Sequence, residues 1–232
     1  MGVSAKSASI WYVDAPDPAA LLREQRTPDQ AAGKALANLL FPELDVVDSG
    51  AGLISLDDGA IESDVCVGWY PGVTVVHADE VSLPRPSTLA QEWIRPLASE
   101  RTYLVATDDA HAWGAFAYWE RGALRRAFSA TDVHIIEDEG LPLVWERPFW
   151  AGEHPIVPRP GQLPDPQALP FDPQAFAAAA LTEWLGADAG RVMVCAFTLY
   201  EEGERPMPPM PERVPATGAR KFKLFRRKVD SS

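Results

Sequence analysis

The sequence predicts an α+β protein: an antiparallel meander sheet with covering helices, a proline-rich loop and a basic C-terminal tail. Three observations carry that reading. Four strand-like runs follow one another between residues 101 and 137, joined by very short links. Helix-period stretches with recognisable start signals stand on either side of them. Charge is segregated as well: the 232-residue chain has a formal net charge of −12, yet residues 220–232 hold six basic residues against one acid. One domain is expected over residues 1–200, then a proline-rich linker over 201–219 and the tail over 220–232. With 47% hydrophobic residues and eight tryptophans, the chain has the material for a packed core.

The elements follow in order. Ser9-Ile10-Trp11-Tyr12-Val13 is an apolar, β-rich run and reads as the first strand. Residues 19–25 suit a short helix, with Asp17 capping and Pro18 at its first position. Thr27-Pro28-Asp29-Gln30 has the form of a capping box with Thr27 at the cap, and Ala32, Leu36 and Leu40 then line one helix face up to Pro42. Short strands are expected at 44–47, 65–70 and 73–77, the last two joined by the turn pair Pro71-Gly72. Ser87 is placed as the cap of a further helix carrying Leu89, Trp93 and Leu97, limited by Pro96.

Runs at 102–107, 113–120, 124–129 and 133–137 make the meander, because links this short join only antiparallel neighbours. Helices at 28–40 and 88–96 are expected to cover one face of it. Residues 142–172 are rich in proline and read as an ordered loop that buries Trp145, Phe149 and Trp150. Asp172, Pro173 and Gly186 frame a last helix with Phe176, Ala180 and Trp184 on one side, and 192–199 is the last strand.

The acidic body is a poor match for nucleic acid, which needs a basic surface. Cys66 and Cys195 sit in apolar runs and read as buried thiols, and no C-x-x-C occurs. No stretch approaches the roughly 18 apolar residues of a membrane span, and residues 1–6 lack the apolar core of a signal peptide. A cytoplasmic protein is expected, with peripheral attachment at the inner membrane face as a variant.

Strong chemical signatures are missing: no Walker A loop, G-x-G-x-x-G, H-E-x-x-H, G-x-S-x-G or EF-hand loop occurs. Neither a cofactor nor a metal is assigned. The densest polar and aromatic segment is residues 148–155. There Glu153 and His154 are candidates for an acid–base pair, while Trp150 and Gly152 are candidates for ligand contact. The alternative is an aromatic plug that anchors the loop. His111 and His134 stand at ends of meander strands beside acids, with Asp109 a further ligand candidate, although turn formation accounts for Asp108 and Asp109 equally well. Residues 35–84 contain no Lys or Arg and nine acids, which read as a solvated face or as a docking surface for something basic.

The tail interleaves Arg220, Lys221, Lys223, Arg226, Arg227 and Lys228 with Phe222, Leu224 and Phe225. That mixture suits a protein partner or an anionic membrane surface. A disordered solubilising tail and a tail packed on the acidic body are the alternatives.

Residues 41–42 (Phe-Pro), 70–73 (Tyr-Pro-Gly-Val), 117–122 (Ala-Tyr-Trp-Glu-Arg-Gly), 149–155 and 169–171 (Leu-Pro-Phe) occur in a shared order across most of residues 8–185. In that order the chain resembles a family of actinobacterial proteins known only as a domain of unknown function. The resemblance implies bacterial origin and single-domain organisation, and no catalytic residue comes with it. The reading reached is an uncharacterised, non-enzymatic binding or scaffolding protein that uses its tail. The runner-up is a hydrolase-like enzyme with Glu153 and His154 near His111 or His134.

Overall fold

The computed structural model describes residues 6–24, 27–55, 63–156 and 165–201. Among these, the strands are β1 (Lys6–Val13), β2 (Asp45–Ser55), β3 (Val65–Tyr70), β4 (Val73–Ala78), β5 (Arg101–Asp108), β6 (Trp113–Glu120), β7 (Ala123–Ala130), β8 (Ile135–Gly140) and β9 (Arg191–Tyr200). They form one nine-stranded sheet in the order β2-β9-β3-β4-β1-β5-β6-β7-β8. Every pairing is antiparallel. The helices are α1 (Pro18–Glu24), α2 (Gln30–Leu40), α3 (Gln91–Ile94), α4 (Arg147–Trp150) and α5 (Pro173–Leu185).

The meander holds for one half of the sheet, where β5 to β8 lie in chain order. In the other half, the chain's last described strand inserts between β2 and β3, and β1 lies between β4 and β5. β1 is central and buried from Ser7 to Val13, which is why it reads as an unbroken apolar run.

Helices cover both faces. α2 buries Leu36, Ala37 and Leu40 on the face that carries Ile10, Val67, Leu104 and Ala117, and Trp93 of α3 joins them. α5 buries Phe176, Ala177, Ala180 and Leu181 on the other face, against Trp11, Val105, Phe116 and Phe128. That second core is aromatic: Phe116 meets Phe176 edge-on at 5.0 Å, and Trp184 stacks on Tyr103 at 4.7 Å.

Four local expectations are corrected. The cap of α2 is Asp29, not Thr27: its carboxylate accepts from the Ala32 amide at 3.0 Å, and Gln30 reaches Asp48 at 3.2 Å instead of folding back. Ser87 caps no long helix. Its amide and hydroxyl bind the buried Glu137 carboxylate at 3.0 and 2.6 Å, and the helical residues there are a 3₁₀ turn, Pro86–Thr88, and the four-residue α3. β8 starts at Ile135, because the Thr131 amide closes a turn onto the His134 carbonyl at 2.9 Å. β2 runs on to Ser55 through a bulge at Asp48/Gly50, since β9 supplies a partner all along residues whose Ser, Gly and Asp content reads as a turn.

Residues 143–154 are held by a buried ion pair. Arg126 of β7 and Glu146 are both fully buried, and the guanidinium Nε and Nη2 each donate to Glu146 at 2.9 Å. Nη1 serves Asp138 and the carbonyls of Ala127 and Glu139. Glu146 also accepts from the Leu143 amide at 2.9 Å and from the Trp150 indole at 3.2 Å. Fully partnered, such a pair fixes one arrangement of the segment.

Candidate ligand pocket

Strand register builds one end of the sheet into a recess. Lys6 of β1 stands opposite Asp108 of β5, and Asp108 stands opposite Trp113 of β6. Directly paired residues share a face, so these three side chains line up across three strands. The next row inward on that face is small: Ala8, Ala106 and Ala115 are consecutive partners, followed by Ser129. Trp113 leans along this row, its indole donating to the buried Ser129 hydroxyl at 2.8 Å. The space left is a cavity of about 300 Å³. Its remaining walls are Ser82 and Pro84 from the segment after β4, Thr131 beyond β7, Ile136 of β8, and His111.

The hairpin between β5 and β6 shapes the polar side. Asp108 accepts from the Ala110 amide at 2.9 Å and meets His111 Nδ1 at 2.8 Å, while Ala112 takes a left-handed conformation with φ 46°. Burial opposes the charge on Asp108, but the His111 ring and the Ala110 amide outweigh it and hold the carboxyl below its ordinary value. Asp108 is therefore a charged carboxylate with both oxygens engaged. Among the described residues, the free donors are then the Lys6 ammonium and the hydroxyls of Ser82 and Thr131; the Asp108 carboxylate takes the Nδ1 proton of His111, so its Nε2 is an acceptor. Among the described residues, Lys6 has only a loose contact of 4.0 Å with the exposed Asp79, and the Ser82 hydroxyl is buried without a partner.

Of the residues singled out from the sequence, His111 lines this pocket. Asp109 is not among the residues that line it; its carboxylate accepts from Gln174 of α5 at 2.7 Å. His134 is exposed and contributes its carbonyl to the turn before β8. Gly152, with φ 76°, turns the chain after α4, and its amide donates to Phe149 at 2.9 Å. Glu153 and His154 are exposed; the His154 ring stacks on Phe149 at 4.2 Å, and its carbonyl accepts the Asp172 amide at 3.3 Å. Trp150 packs edge-on against Phe171 at 5.0 Å, so its ring serves the core. Among the described residues, no three His, Cys, Asp or Glu side chains are grouped as a metal ion would require. Arg220, Lys221, Phe222, Lys223, Phe225, Arg226, Arg227 and Lys228 lie outside the described residues.

Sequence reasoning missed Lys6, Ser82, Trp113 and Thr131 as pocket residues, and took Asp108 as a turn former. No local signal marks them, because their meeting depends on which strands pair and in what register. Cys66 and Cys195 are free, buried thiols. Burial, the largest influence, pushes the Cys66 thiol up, and only its contact with Ser63 at 2.9 Å opposes that.

Fold and recess together define an α+β protein with one two-sided antiparallel sheet and a small cavity at a sheet end. The chain belongs to the family of unknown function DUF6928, whose model matches residues 7–197 and so spans every described strand but the ends of β1 and β9. Neither a curated protein nor a solved structure gives a significant match to the chain.

Proposed function

We propose that the protein is a non-enzymatic binding protein of an actinobacterial cytoplasm, holding a small organic molecule in the cavity between Lys6, Asp108, Trp113 and Thr131. The observation that carries this reading is the convergence, from five separate chain segments, of an apolar floor and several donors on one cavity of about 300 Å³. That volume is at the lower end of what small-ligand sites occupy, and a mostly apolar lining with a few placed polar groups is their usual make-up. The body over 1–200 is the binding unit; the linker and the basic tail attach it reversibly to a protein partner or an anionic surface. Among the described residues, no helix is long and apolar enough to cross a membrane. A hydrolase centred on Glu153 and His154 has less behind it, because both side chains are exposed to solvent and neither lines the cavity.

The test is a thermal-shift screen of small fragments against the full chain and against Thr131→Phe, which fills the cavity. Hits that raise the melting temperature of the native chain and lose that effect in Thr131→Phe support the reading. Hits whose effect survives the substitution refute it.

A further inference from the structure

We propose that the molecule held in this cavity is a small organic acid, its carboxylate gripped by Lys6 and the wall hydroxyls of Ser82 and Thr131 and its apolar body laid against Trp113, Ile136 and Pro84. The inference rests on the binding reading above and names the ligand class.

The polar inventory of the cavity is one-sided. Asp108 is the carboxylate in its wall, and its two oxygens are taken by the Ala110 amide and the His111 ring. The Trp113 indole is spent on Ser129. Among the described residues, what remains to face a ligand as a donor is an ammonium and two hydroxyls. Lys6 sits on the same register row as Asp108 and Trp113, so its ammonium stands beside the apolar floor. Asp79, its contact at 4.0 Å, is 88% exposed and competes weakly for it. The Asp108 contact places the His111 proton on Nδ1 and leaves Nε2 as an acceptor, which takes no part in holding a carboxylate. The buried, unpartnered Ser82 hydroxyl gives a third polar group in the same wall. A ligand with an acceptor head satisfies these groups. A ligand with a cationic head would meet the like charge of Lys6.

A single compact ammonium suits a monoanion better than a phosphate dianion, for which a planar, bidentate arginine is the usual partner. Among the described residues, no arginine lines the cavity. The modest volume favours a body of about one ring or a short branched chain.

The experiment is calorimetric titration of the full chain with four probes that share one ring: benzoate, benzyl alcohol, benzylamine and phenyl phosphate. Each is repeated on Lys6→Met and Thr131→Phe. Benzoate is expected to bind about tenfold more tightly than benzyl alcohol. Lys6→Met should erase that preference while leaving benzyl alcohol binding unchanged, and Thr131→Phe should abolish binding of all four. Benzyl alcohol, benzylamine or phenyl phosphate binding as tightly as benzoate, with binding still lost in Thr131→Phe, would overturn the organic-acid assignment and keep the binding site. A benzoate preference that survives Lys6→Met would overturn it too. No binding by any probe, or binding indifferent to Thr131→Phe, would overturn both the assignment and the reading beneath it.

Discussion

Replacing Glu146 by alanine tests how the aromatic side of the molecule is held. Arg126 and Glu146 have no exposed side-chain surface. Glu146 receives four hydrogen bonds: two from the guanidinium, one from the Leu143 amide and one from the Trp150 indole. Alanine removes all four bonds at once. Arg126 keeps Asp138 and the carbonyls of Ala127 and Glu139 but loses its one fully buried anionic partner, and its Nε and Nη2 are left without acceptors between Phe116 and Phe128. Breaking a buried pair by removing one partner costs about 3–5 kcal/mol. That is a large share of the roughly 5–15 kcal/mol that holds a typical domain folded. The assay is urea unfolding followed by circular dichroism on the native chain, Glu146→Ala, Arg126→Met and the double variant Arg126→Met/Glu146→Leu. The double variant should lose much less than the two single losses added together, because it leaves no buried unpaired charge; Asp138, the remaining partner, is 42% exposed. Hydrogen exchange should quicken first in residues 143–154. A Glu146→Ala loss below about 1 kcal/mol, or strictly additive single losses, would refute the argument, since either would mean that water reaches the pair.

Other substitutions have expected signs of their own. A Cβ on Gly114 would stand 2.1 Å from the Pro173 carbonyl oxygen, in the backbone that opens α5, so Gly114→Ala should cost at least about 3 kcal/mol in unfolding free energy. Gly33, inside α2, has only ordinary contact at 3.5 Å to Val67, and Gly33→Ala should stabilise by about 0.5–1 kcal/mol in the same assay. His77 faces Ser9 and Cys66 across the strands; burial pulls its ring below the ordinary value of 6.5, with Asp79 opposing, and Nδ1 has no partner among the described residues. The unfolded chain then binds the proton more readily, so stability should fall as pH drops through about 6.5 and stop falling below the folded value. Unfolding free energies at several pH values should show a shallower slope in His77→Asn. Asp48 and Asp108, whose carboxyls are held below 3.8, act in a separate and more acidic window.

Periodicity and punctuation made much of the fold legible. β1, β3, β4 and the meander strands are apolar runs bounded by turn residues, and α5 carries its cap, first-position proline and terminal glycine in the places where they act. β2 was under-read because its middle, Asp48 to Gly52, has turn-forming residues that become strand only through pairing with β9. The insertion of β9 between β2 and β3 is a long-range pairing that no local pattern encodes. The same limit hid the pocket. His111 attracts notice as a histidine beside acids, but Lys6 and Trp113 are 107 positions apart in the chain and meet only through the register of β1, β5 and β6. The polar segment 148–155 drew attention for its composition. In the fold its aromatic members pack inward, and Glu153 and His154 stay at the surface.

The central claim is that the sheet end at Lys6, Asp108 and Trp113 is where this protein takes hold of a small molecule. Titrating the ¹⁵N-labelled full chain with benzoate and following amide chemical shifts tests it most directly. Shifts concentrated around Lys6, Ser82, residues 108–113 and Thr131 are the expected result. Shifts centred on Glu153 and His154 or on residues 220–228, or no shifts at all, would contradict it.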